Sequence, residues 1–225
     1  MSNNEIIPPE VSNDAFYHAL VMCALRPDIK TILEIGSSSG EGSTEAFVKA
    51  IRQRPDRNSV KLFCMEISQA RFQKLAATYK SDSFVKASRL SSVRLNQFPT
   101  REDVVNFYQN TQTNLNLYYS LEMVLGWLEQ DLAYIRESGL DTCGVDVIKQ
   151  EQGIDFFDMV LIDGSEFTGN VELSLLLGAK IIALDDINTF KCYFAYQFLD
   201  GNPQYRVIAR DISLRHGFAV FEKVS

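Results

Sequence analysis

Residues 31 to 44 read TILEIGSSSGEGST, an apolar run that breaks into Gly36, Gly40 and Gly42 and then opens a helix. A short, mostly apolar run bounded by glycine fits a strand buried on both faces, which requires a sheet with helices on either side. Glycines this close together either make a tight turn or leave room for a ligand to approach the backbone N–H groups.

The same alternation continues along the chain. Strand-like runs are expected at 30–36, 59–67, 83–90, 157–162, 179–184, 205–211 and 217–223. Between them, Phe47, Val48 and Ile51 mark a helix starting near Ser43 or Thr44, and Phe72, Leu75 and Ala76 mark another. Before the first strand, Phe16, Leu20, Cys23 and Ala24 recur at helical spacing as far as Pro27, predicting a lead-in helix. Strands alternating with helices argue a βαβ architecture.

One connection is out of proportion. The stretch between the third and fourth strands far exceeds the dozen or so residues a parallel crossover needs, so residues 93–150 form an insert. Within it, Leu117, Leu121, Val124, Leu128, Leu132 and Ile135 step by three and four, predicting one long amphipathic helix with Trp127 near its apolar face. That face could pack on the sheet, act as a lid, or form a homodimer surface. The expectation is one domain spanning 1–225, with 1–29 as polar tail and lead-in helix.

A formal charge of −7 without a lysine or arginine cluster disfavours nucleic acid and anionic membrane surfaces, and favours a small-molecule partner. The opening MSNNEIIPPEVSND lacks a basic start and an apolar core, and no later run approaches the roughly 18 apolar residues of a membrane span. A cytoplasmic location is expected. Cys23, Cys64, Cys143 and Cys192 lie far apart without CxxC spacing and read as buried thiols.

A strand, a glycine turn and a helix N-terminus outline a nucleotide loop, although the spacing is not GxGxxG. Glu66, at the end of the second strand, stands where dinucleotide folds keep an acid for ribose hydroxyls; the plainer alternative is a solvent-exposed acid before Ser68, itself a helix N-cap candidate. The fourth strand delivers Asp163 and Gly164, and the fifth Asp185 and Asp186, to the sheet edge where open α/β folds bind ligands. Three carboxylates in one cleft require a divalent cation, a cationic side chain, or retained protons. Alternatively the Asp pair caps the helix that follows.

Taken together, TILEIGSSSGEGST, MEIS, FDMVLIDGSEFTG and GAKIIALDDI resemble the class I S-adenosylmethionine-dependent methyltransferases over most of residues 30–223. The similarity is greatest to small-molecule and sugar O-methyltransferases with an acidic IDG motif. It implies a Rossmann-like α/β fold: a seven-stranded, mostly parallel sheet whose last strand is antiparallel. It assigns cofactor contacts to Glu34, Gly36, Ser38 and Gly40, ribose binding to Glu66, and the adenine flank to Ser91 and Ser92. Asp163 is expected to orient the cofactor's amino group or the acceptor and to be required for turnover; with Asp185 and Asp186 it makes a candidate Mg2+ site. The chain departs from the pattern after IDG, where Ser165, Glu166 and Phe167 replace the usual histidine or second aspartate, which makes Glu166 the candidate base. His18 and His216 read as structural or solvated. The resemblance implies methylation of a hydroxyl on a small molecule, a sugar or a glycan unit. The rivals are a binding domain of the same fold without turnover and a nicotinamide oxidoreductase, which the missing GxGxxG disfavours.

Overall fold

The computed structural model describes residues 5–224; residues 1–4 of the expected tail and Ser225 lie outside them. After the tail comes α1 (Ala15–Ala24), whose N-cap Asp14 accepts from the Tyr17 N–H at 2.8 Å. Then follow β1 (Thr31–Ile35), α2 (Ser43–Gln53), β2 (Lys61–Met65), α3 (Gln69–Thr78) and β3 (Val85–Ser88). The insert holds α4 (Arg101–Asn110), α5 (Asn114–Tyr118), α6 (Leu121–Ser138) and α7 (Gly144–Gln152). The chain closes with β4 (Met159–Ile162), α8 (Gly169–Leu176), β5 (Ile181–Asp185), α9 (Tyr193–Asp200), β6 (Tyr205–Asp211) and β7 (Phe218–Lys223).

The seven strands pair in the order β3-β2-β1-β4-β5-β7-β6, parallel throughout except for β7, which runs antiparallel to both neighbours. All seven expected strands are present, and the last is the antiparallel one. Successive side chains of a strand point to opposite faces, and here both faces are covered. Ile32 and Leu62 pack with Phe16, Phe47 and Ile51 under α1 and α2, while Leu33 and Phe63 pack with Ile148, Leu173 and Leu199 under α7, α8 and α9. Each such side chain withdrawn from water contributes about 1.5–3 kcal/mol. The order reverses between β1 and β4, which puts the topological switch, and a cleft, at their C-terminal ends.

The insert departs from the expected single helix. The run breaks at Tyr119, Ser120 N-caps α6 by accepting from the Met123 N–H, and Leu117 stays exposed on the short α5. A serine at that point offers the backbone a cap in place of another helical turn. The buried face of α6, with Val124 and Leu128, packs on Val104 and Phe107 of α4 and on Phe167 beyond β4. This third cluster roofs the C-terminal edge of the sheet instead of covering a sheet face. Among the described residues no helix is long and apolar enough to cross a membrane.

Candidate functional site

A cavity of about 780 Å³ opens at the switch point, within the range of small-molecule sites. Its floor is the glycine turn. Gly36 and Ser37 both donate their N–H to the Met65 carbonyl at 3.0 Å, tying the end of β1 to the end of β2. Gly36 has φ of +83°, and a Cβ there would lie 1.9 Å from the Asp163 carbonyl oxygen. Gly40 and Gly42 are likewise pressed against protein, Gly40 against the Tyr79 ring and Gly42 against the Val11 carbonyl. The glycines therefore bring chain segments together, and the loop meets the cavity through Gly36, Ser37, Ser38, Gly42 and Ser43. Ser38 holds a left-handed φ of +47° on that wall.

Of the residues expected to hold a cofactor, Gly36, Ser38, Glu66, Ser91, Ser92 and Asp163 line this one cavity. Gly40 and Glu34 do not. Glu34 is fully buried beneath the loop, where it accepts from the Thr44 hydroxyl at 2.7 Å and so ties β1 to α2. Burial raises its pKa, with the Thr44 hydrogen bond opposing.

Glu66 is not a solvated acid. It is 5% exposed, accepts the Ser68 N–H at 2.7 Å, and has its pKa raised by burial against the pull of that bond. Ser68 does cap α3, accepting from the Arg71 N–H. The Ser91 hydroxyl donates to the Val93 carbonyl at 2.6 Å, and the Ser92 hydroxyl donates to Glu172, so both side chains are committed to protein acceptors.

The acid cluster is organised differently from the expected metal site. Lys191 Nζ lies 2.9 Å from Asp163 Oδ1 and 2.6 Å from Asp186 Oδ2, with its side chain 10% exposed. Asp185 is directed elsewhere, accepting from Arg215 Nη2 at 3.1 and 3.4 Å, and Arg215 also pairs with Asp14. Asp163, Asp185 and Asp186 thus do not surround one vacancy. Among the described residues no group of three or more potential ligands is arranged to hold a metal ion. The Mg2+ expectation is corrected accordingly, because a cationic side chain occupies the position between the acids. The capping alternative fails as well: α9 begins only at Tyr193, and its N-cap is Cys192.

Charge explains the proton affinities. Burial alone would lower the Lys191 pKa, but Asp163, Asp186, Asp185 and Glu166 outweigh it and hold the ammonium well above the ordinary lysine value. Burial, helped by Asp185 and Asp186, raises Asp163 despite Lys191. Asp186 goes the other way, since Lys191 overcomes its burial. Asp185 is raised to about 6 by burial and by Asp186, and Glu166 to about 7, chiefly by burial. Glu166 lines the same cavity and accepts the Lys191 backbone N–H at 3.3 Å.

The outer wall comes from the insert: Phe98, Tyr119, Met123, Trp127 and Tyr134 line it. Asp131 there accepts from the Ser165 hydroxyl at 2.6 Å, joining α6 to the loop after β4. His216 packs against the rings of Tyr118 and Tyr119, whereas His18 is exposed on α1. Sequence reasoning missed Lys191, Arg215 and the aromatic wall. The one available signal for Lys191 was its place in the apolar stretch TFKCYF, where a lysine has to be buried with a partner.

No model of a known protein family matches the chain, and no curated protein matches its sequence. Solved structures do match. A Staphylococcus aureus protein assigned as a caffeoyl-CoA O-methyltransferase superposes with a TM-score of 0.54 at 13% identity, covering 95% of this chain and 85% of its own. An O-methyltransferase from Bacillus cereus in complex with S-adenosylhomocysteine gives 0.52 at 11% identity, covering 96% and 84%. A Podospora anserina methyltransferase bound to S-adenosylhomocysteine gives 0.51 at 12% identity, covering 96% and 81%. At these identities the likeness establishes the fold: the chain has the Rossmann-like fold of the class I methyltransferases.

Proposed function

We propose that the chain is an S-adenosylmethionine-dependent methyltransferase whose acceptor is a hydroxyl on a small molecule, with a sugar or glycan unit included in that class. The observation that carries this is the pairing of two carboxylates on one cavity wall system: Glu66 at the end of β2 and Glu166 beyond β4. A buried acid at the second strand of such a sheet suits the free diol of a ribose. A second acid with a pKa of about 7 suits a base that must work near neutrality.

When bound, S-adenosylmethionine supplies an electrophilic methyl group on a sulfonium and leaves as S-adenosylhomocysteine. The chain's own residues supply the rest. The Gly36–Ser38 turn and Glu66 form the end of the cavity that would receive the nucleoside, beside Ser91 and Ser92. The aromatic wall from the insert would hold the acceptor and exclude water, fixing its oxygen in line with the methyl group. Glu166 would take the hydroxyl proton as the new carbon–oxygen bond forms, and Asp163 beside Lys191 would orient the reacting groups.

The test is calorimetric titration with S-adenosylhomocysteine. Micromolar binding that is lost in Glu66→Ala supports the reading; absence of binding to the unaltered protein overturns it.

A further inference from the structure

The same strand ends that deliver three acids also deliver their counter-ion. Lys191 follows β5 on a tight connection: the Thr189 N–H donates to the Asp186 carbonyl at 3.2 Å, and the Lys191 N–H donates to the Thr189 hydroxyl at 3.3 Å. Asp186 holds a left-handed φ of +54°, which is strained for a non-glycine residue and persists only where its surroundings fix it. From the other side α8 clamps the lysine backbone, since a Cβ on Gly169 would stand 2.1 Å from the Lys191 carbonyl oxygen. The ammonium is thus delivered by a backbone held from two directions.

We propose that Lys191 is the built-in cation of this acid cluster: it joins Asp163 to Asp186, closes the cluster to a divalent ion, and makes transfer at this site metal-independent. Only the last clause rests on the methyltransferase reading. A hard cation such as Mg2+ needs several oxygen ligands in near-octahedral array. Here Asp163 Oδ1 and Asp186 Oδ2 are already bound to one ammonium, and Asp185 is held by Arg215. Any ion approaching the pair would also meet a positive charge that its ligands cannot release without leaving Lys191 buried and unpaired. Two of the three ammonium donors are used by these acids. The third has no acceptor among the described residues and belongs to a side chain on the cavity wall, where an acceptor oxygen can take it.

Mn2+ serves as the probe, titrated against the full-length protein and followed by the loss of its free-ion electron paramagnetic resonance signal. The unaltered protein is expected to leave that signal unchanged. Lys191→Ala frees both carboxylates and should gain saturable Mn2+ binding, tighter by at least about tenfold, that disappears again in the Asp163→Asn/Lys191→Ala double variant. Lys191→Arg, which keeps the charge, should remain closed to the ion. Stoichiometric Mn2+ binding by the unaltered protein, displaced by Mg2+, would overturn the proposal without reference to any variant's folding. So would a folded Lys191→Ala that gains nothing. S-adenosylhomocysteine titrated with EDTA and with Mg2+ should give one affinity. No binding in either buffer sinks the proposed function and leaves the metal result standing, so the two failures are distinguishable.

Discussion

Gly36 and Asp163 meet backbone to backbone, with the hydrogen-only face of the glycine against the aspartate's carbonyl oxygen, where a Cβ would be 1.9 Å away. This contact joins the turn after β1 to the end of β4 and sets the floor of the cavity. Gly36→Ala therefore adds a left-handed strain and a clash, and should destabilise the fold by at least about 2 kcal/mol. Denaturant unfolding monitored by circular dichroism measures it; an unchanged midpoint would mean that the strand ends are free to separate.

Glu66→Ala removes a buried acceptor from the nucleoside end of the site. Hydrogen bonds to a charged group are worth about 1.5–3 kcal/mol, so affinity for S-adenosylhomocysteine should fall about 10- to 100-fold. Glu34→Gln, altered beneath the loop and off the cavity wall, should leave that affinity within a few-fold while shifting the melting temperature. Equal losses in both variants would mean that Glu66 acts only through the fold.

The rate of transfer should rise with pH through about 7, following ionisation of Glu166. In Glu166→Gln the rate should drop about 100-fold or more and lose that limb. A variant that keeps both rate and pH profile would assign the proton to another group.

Stability should move in the opposite sense. Asp185 and Glu166 keep their protons in the folded state up to about 6 and about 7, while the unfolded chain releases them near 3.8 and 4.5. Their contribution is complete below those lower values and is lost as pH rises through the higher ones. Glu166→Gln cannot ionise. Relative to the unaltered protein it should gain stability between pH 4.5 and about 7, by up to about 3 kcal/mol. Urea melts across that window decide the matter, and a flat difference contradicts it.

Trp127 is the chain's sole tryptophan and stands on the aromatic wall. Acceptor binding should change its emission, and Trp127→Phe should abolish the change while retaining S-adenosylhomocysteine binding by calorimetry. This gives an acceptor screen independent of turnover.

Much of the architecture was legible because it rests on local pattern. Both-face burial makes β4 and most of β1 and β5 apolar, and Gly36 and Glu66 follow directly at strand ends. What escaped depends on direction and distance. Asp185 and Asp186 look like a pair, but neighbours in extended chain diverge, and the positive φ at Asp186 turns it to Lys191 while Asp185 faces Arg215. Gly40 looked like a ligand contact because a glycine's partner is invisible in sequence; here it is the Tyr79 ring. The break between α5 and α6 was hidden because Leu117 happens to continue the apolar spacing across it.

The β6–β7 hairpin couples the order of synthesis to the assembly of the sheet. Strand β7 docks between β5 and β6, both of which precede it, and Arg215 lies in the turn just before it. A chain emerging from the ribosome has already produced every other strand when Asp185 is still without its guanidinium partner. Closure of the sheet and neutralisation of that acid are then a single event. Until β7 slots into its gap the edge of β5 stays unpaired, and an open strand edge is prone to pairing with the wrong chain.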